Sequence, residues 1–181
     1  VYNSVFFSSQ FWDGRSPHLE DQAQGPIQAK PEMAAPKELV VSRVTSIPEY
    51  MEFFKEAYGD EKVTFEKIAD TIAVFERTLV TPSKFDKFLE DDKNALNKDE
   101  KEGLKTFIDK GCVTCHNDIA LGGTMQPFPV VGQYKYSNVG DFKGDANGMV
   151  KVPTLRNITE TAPYFHNGAV WSLAEVVKIM G

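Results

Sequence analysis

Residues 111–116 read Gly111-Cys-Val-Thr-Cys-His116, and both cysteines of the chain lie in this one stretch. A C-x-x-C pair has three uses: a zinc half-site, a thioredoxin-like redox pair, or thioether attachment of haem. Zinc would require two further Cys or His ligands at close spacing, and only His18 and His166 remain, both far away in sequence. A redox pair belongs after a strand in a βαβ context, which this region lacks. The adjacent His116 decides the matter. On a helix, positions i, i+3 and i+4 share a face, so Cys112, Cys115 and His116 can meet two vinyl groups and the iron of one porphyrin together. The stretch is therefore expected to carry haem c.

The segments around it predict an all-α chain, with cytochrome c-like haem domains and long loops. Asn97-Lys-Asp-Glu100 has the form of a capping box, followed by Leu104, Phe107 and Ile108 on one face, with Gly111 ending the helix. Upstream, Ser46-Ile-Pro-Glu49 is read as a capping box leading into Met51, Phe53, Phe54 and Tyr58 and stopping at Gly59. Thr64 caps a further helix, in which Phe65, Ile68, Ile72, Phe75 and Leu79 recur at spacings of three and four. Thr81-Pro-Ser83 breaks it and marks a boundary between a domain over 1–82 and another over 83–181. Residues 121–152, rich in Gly and Pro without a sustained period, are expected to form a long loop around the haem with a short hairpin. Ser172-Leu-Ala-Glu175 caps a last helix carrying Val176, Val177 and Met180.

The iron needs a ligand on its other face. Candidates are Met33, Met51, Met125, Met149, Met180, His18 and His166. Met51 belongs to an apolar helix face and reads as core filler. Met125, nine positions after His116, has a tight loop in which to reach the opposite face. Met180, 64 positions on, has ample chain and ranks first by spacing, without excluding the others. A thioether ligand raises the iron potential and closes the metal to substrates.

The bulk properties bound the function. The chain has 181 residues, 41% of them hydrophobic and 25% charged, and a net charge of -6 without a Lys/Arg cluster, which argues against nucleic-acid binding. No apolar run approaches the ~18 residues of a membrane span. The absence of a visible signal peptide and the start at Val1 rather than Met suit a processed or trimmed product.

Taken together, the motifs carry a family resemblance. They are Gln10-Phe-Trp-Asp-Gly-Arg15, Leu19-Glu-Asp-Gln-Ala-Gln-Gly-Pro26, Pro31-Glu-Met33, Glu76-Arg-Thr-Leu-Val-Thr-Pro82, the haem motif, Val152-Pro-Thr-Leu-Arg-Asn-Ile158, Thr161-Ala-Pro-Tyr-Phe-His-Asn-Gly168 and Trp171-Ser-Leu-Ala-Glu-Val-Val-Lys-Ile-Met180. In that order they resemble the bacterial di-haem cytochrome c peroxidases, in which one domain holds a peroxidatic haem and the other an electron-transfer haem. The resemblance implies that Cys112, Cys115, His116 and Met180 hold the electron-transfer haem. The related methylamine-utilisation enzymes place a Tyr at the Met180 position. Trp12 matches the tryptophan between the haems, and Gln22 and Glu32 match the polar pair of the peroxide pocket. Thr161 and Pro163 match residues whose backbone carbonyls hold calcium.

It further implies two-electron reduction of hydrogen peroxide to water, a monohaem cytochrome c or copper protein as donor, a homodimer and a periplasmic location. One C-x-x-C-H stands where the family has two. The sequence is thus read as a fragment: the later part of the peroxidatic domain without its haem-binding segment, and an electron-transfer domain truncated at its C-terminal end. The competing reading is a non-catalytic c-type electron carrier, which explains the haem motif and Met180 but not Trp12, Gln22 and Glu32. A pyridine haemochrome spectrum should show the two-thioether c-type signature, and Cys115→Ser should shift it toward that of a haem keeping one vinyl.

Overall fold

The computed structural model describes residues 2–60, 62–128 and 135–181. The chain is mostly helical, and it divides into two compact units: Val1–Val5 with Ser16–Leu79, and Phe6–Arg15 with Val80–Gly181.

The first unit is built from α1 (Leu19–Gln28), α2 (Lys37–Thr45), α3 (Pro48–Tyr58) and α4 (Phe65–Thr78). Helix α1 turns Leu19, Ala23 and Ile27 inward at a spacing of four, and α4 turns in Phe65, Ile68, Ala69 and Ala73. Ala69 and Ala73 are almost completely buried, and their small side chains let the two helices pack closely. Phe54 of α3 and Val63 meet Ile68, with Val40, Val41, Val44, Met51, Tyr58 and Ile72 packed around them. The Tyr58 hydroxyl donates to the carbonyl of Lys67 (3.0 Å), tying the end of α3 to α4.

Two expectations fail in this unit. Ser46 caps nothing at the start of α3: it closes α2, its hydroxyl donating to the Arg43 carbonyl (2.8 Å), and Ile47 holds the N-cap position without a side-chain bond. Phe75 lies on the outer side of α4, 62% exposed, because the buried stripe runs through Phe65, Ile68, Ala69 and Ala73. The Thr64 cap forms as expected, with Thr64 Oγ1 accepting from the Lys67 amide (3.2 Å).

The second unit contains α5 (Lys84–Leu89), α6 (Lys98–Asp109), the 3-10 turns Cys112–Thr114 and Ile158–Glu160, and α7 (Leu173–Met180). It also holds an antiparallel pair, β1 (Met125–Pro127) and β2 (Met149–Lys151), with Met125 opposite Lys151. That hairpin qualifies the all-α expectation. The long connection joining its strands includes residues 129–134, which lie outside the described residues. Asn97 and Glu100 form the expected reciprocal capping box of α6, and Ser172 caps α7.

Arg156 binds this unit together. Its guanidinium grips Asp86 of α5 with both ends (Nη1 3.0 Å, Nη2 2.6 Å) and donates through Nε to the Ile119 carbonyl (2.5 Å). Its side chain is 8% exposed. The Arg156 bonds hold the Asp86 carboxyl far below the usual carboxylate range, against the opposing effect of burial and with help from Ser83. Asp86→Asn leaves that desolvated guanidinium without its counter-charge and should cost about 3 kcal/mol at neutral pH. Because the folded-state pKa is depressed, the contribution is complete above the unfolded value of about 3.9 and fades as pH falls below it. Denaturant melts should therefore show a gap between parent and variant from pH 5 upward that closes in acid.

Candidate haem site

Helix α6 delivers the chain to Gly111, whose left-handed backbone (φ 78°) turns it into the attachment segment. Cys112 opens the short 3-10 turn and Cys115 follows it; both are free, half-buried thiols. The motif lies on this turn rather than on a continuing α-helix. The His116 amide still donates to the Cys112 carbonyl (3.0 Å), so one helical-type bond joins the first cysteine to the histidine.

His116 Nδ1 sits 3.1 Å from the Leu121 carbonyl, which can only accept. The proton therefore resides on Nδ1 and the lone pair on Nε2, the form an imidazole needs to ligate a metal. Burial pushes the His116 pKa below its ordinary value, while the carbonyls of Leu121 and Pro153 pull the other way. The Phe107 ring of α6 lies beside the imidazole, centroids 6.4 Å apart.

The loop that supplies the Leu121 carbonyl is laced to residues 152–156, which supply that of Pro153. Gly123 N donates to Val152 O (2.8 Å), Leu155 N to Leu121 O (3.2 Å) and Thr154 Oγ1 to Ala120 O (2.6 Å). Gly122 makes this approach possible: a Cβ there would stand 2.4 Å from the Pro153 carbonyl oxygen.

The residues fit haem c. Two thiols at the attachment spacing adjoin an imidazole with a free lone pair. The unit also leaves an apolar deficit, since neither α6 nor α7 has a fully buried residue. Ile108, Ile119, Val177 and Met180 are 44–63% exposed, an arrangement that a large apolar group would complete.

Met180 closes the last turn of α7, 44% exposed. Met125 lies in β1 with its sulfur packed on the backbone of Gly14, and Met149 is half-buried in β2. In the first unit, Met51 packs on the apolar cluster and Met33 is 67% exposed. His18 caps α1, its Nδ1 accepting from the Asp21 amide (3.3 Å). His166 Nε2 bonds the Val139 carbonyl (3.0 Å).

Gln22 sits half-buried in α1, and Pro26 one turn later lacks the amide that would bond its carbonyl. Glu32 is exposed in the turn after α1, where its amide donates to Ala29 O (3.0 Å). Trp12 is 48% exposed and meets Phe142 edge-to-face, centroids 5.6 Å apart. Thr161 and Pro163 flank Ala162 in an exposed segment. Among the described residues, no cluster of three or more His, Cys, Asp or Glu could hold a metal ion. Sequence reasoning had missed the carbonyls of Leu121 and Pro153, which carry no side-chain signal, and Arg156, which stood unremarked inside the Val152–Ile158 motif.

The family model described as di-haem cytochrome c peroxidase matches residues 1–94. The chain is 48% identical to the cytochrome c551 peroxidase of Nitrosomonas europaea, over 100% of this chain and 57% of that protein. It is 44% identical to the enzyme of the same name from Pseudomonas aeruginosa, over 100% and 56%, and 32% identical to the methylamine utilization protein MauG of Methylophilus methylotrophus, over 98% and 55%. The chain thus spans a little over half the length of these relatives. Its fold is similar to the crystal structure of a MauG-like protein associated with microbial copper homeostasis (TM-score 0.78, 24% identity, 98% of this chain and 60% of that one). It is also similar to that of the diheme peroxidase BthA from Burkholderia thailandensis (TM-score 0.72, 18% identity, 95% and 51%). This chain belongs to the di-haem cytochrome c peroxidase family.

If Met180 completes the ligation, Met180→His should lower the midpoint potential of this haem and abolish the weak red band of a ferric iron–thioether bond, both read by spectroelectrochemical titration. An unchanged titration would move the assignment to Met125 or another ligand.

Proposed function

We propose that this chain carries the electron-transfer haem and the peroxide-pocket residues of a bacterial cytochrome c peroxidase, which reduces hydrogen peroxide to two waters with two electrons and two protons. The observation that carries the reading is the C-x-x-C-H segment whose His116 is held as the metal-binding tautomer, in a chain 41–48% identical to cytochrome c peroxidases. Residues 1–82 are assigned to the peroxidatic domain and 83–181 to the electron-transfer domain.

Cys112 and Cys115 would hold the porphyrin by thioethers, and His116 Nε2 and Met180 Sδ would ligate its iron. Haem c, when bound, supplies a reversible one-electron store. The Leu121 carbonyl keeps His116 in its tautomer and orientation, and the apolar residues of α6 and α7 keep water from the ligated metal. Trp12 serves as the electron bridge toward the peroxidatic haem. Gln22 orients the peroxide with its amide, and Glu32 accepts a proton from one peroxide oxygen and returns it to the departing one. The carbonyls of Thr161 and Pro163 contribute to a calcium site completed by other oxygens.

A small donor protein, a monohaem cytochrome c or a copper protein, supplies electrons. Haem c assembly outside the cytoplasm supports a periplasmic location, and the likeness to the family supports a homodimer. No helix among the described residues is long and apolar enough to cross a membrane.

The intact native protein should contain two haems per polypeptide and turn over peroxide. Glu32→Gln should lower kcat about 10²- to 10⁴-fold, the usual worth of a positioned proton-transfer group, with haem content unchanged. One haem and no peroxide consumption in a fully loaded intact preparation would leave an electron carrier instead.

A further inference from the structure

Residues 6–15 form a strap that packs with the haem-motif unit, although more than ninety positions separate it from Cys112 in sequence. Lys151, the last residue of β2, holds it twice. The Lys151 amide donates to the Trp12 carbonyl (2.7 Å), and its ammonium donates to the Ser9 carbonyl (3.0 Å). The same ammonium lies 4.3 Å from the centroid of the Phe7 ring, and that ring in turn packs on Gly123.

Two carbonyls three residues apart are thus tied to one side chain and its own backbone. The Trp12 indole is supported on one side by Phe142, which stacks edge-to-face on Phe128 (5.8 Å), itself against His166 (5.0 Å). The indole is 48% exposed, so the placing of the strap's backbone has a large share in where it lies.

We infer that Lys151 is the positioning residue for Trp12, fixing the strap against the hairpin so that the indole keeps one distance and orientation to the haem of this unit. The inference deepens the reading of Trp12 as an electron bridge and rests on it for its functional consequence. Lys151 touches neither substrate nor iron in this role. Burial pushes its pKa down to about 8 against the opposing pull of Asp13, as for a charge taken out of water to serve an internal contact. A lysine with only a solubilising role would leave its ammonium in solvent.

The test uses the intact, haem-loaded protein labelled with 5-fluorotryptophan, the Trp12 fluorine resonance being assigned by its loss in Trp12→Phe. Lys151→Met keeps the stem and removes the donor and the charge. It should shift or broaden the Trp12 resonance while the red band and potential of this haem stay unchanged. It should also slow electron transfer between the haems about tenfold or more, the scale of loss expected when a reacting geometry slips by a fraction of an ångström. Lys151→Arg, which retains a donor and a cation over Phe7, should restore both readings.

An unmoved Trp12 resonance in Lys151→Met overturns the inference. Should that variant fail to load haem, Lys151→Gln, a shorter uncharged donor, is read by the same resonance with the same two outcomes. If Trp12→Phe itself leaves the transfer rate at the parent value, the bridge reading falls. The fluorine resonance still decides whether Lys151 positions the residue.

Discussion

The fold around the haem motif depends on a cation taken out of water. An arginine side chain only 8% exposed cannot shed its charge, so its guanidinium needs acceptors and a counter-charge where it lies. Arg156 finds three: both oxygens of Asp86 and the carbonyl of Ile119. Those bonds fasten α5 to the loop that follows the attachment segment, and they set where residues 119–123 run. The Leu121 carbonyl that selects the His116 tautomer is two residues from that anchor. The chemistry of the imidazole is thus traceable to an ion pair whose arginine lies forty positions further along the chain and whose aspartate lies thirty before it.

Much of this was legible in the sequence, and for a uniform reason: the readable elements announce themselves locally. The box at Asn97 and the caps at Ser172 and Thr64 need only residues within one turn, and all three formed. The cysteine–histidine spacing is equally local. Helices α1 and α2 went unrecognised because Pro26 and Pro36 sit where a breaker is expected, and α5 because its six residues are too few to show a period. Ser46 misled because a serine before Ile-Pro-Glu reads as a cap, whereas the preceding helix had already claimed its hydroxyl.

The site residues split along the same line. Cysteines, histidine and methionine are visible as residue types with a chemistry. The backbone carbonyls of Leu121 and Pro153 are visible nowhere in a sequence, because every residue has one. Lys151 and Trp12 meet only after the chain has travelled from its second decade to its sixteenth, a pairing that no periodicity records. The polar residues Gln22 and Glu32 fall between these cases: their types suit proton chemistry, and only a family match singles them out from other surface carboxylates and amides.

Helices that bury none of their own residues also say something about how such a chain is made. In α6 and α7 the apolar stripe has too little polypeptide to rest on, so a tetrapyrrole held there would itself be a structural member, contributing area that no side chain supplies. Biosynthesis would then have to insert the prosthetic group for this half to gain its full stability. Chains that escaped the attachment machinery would open more readily to proteases, so degradation would sort unloaded copies from finished ones without a dedicated inspector.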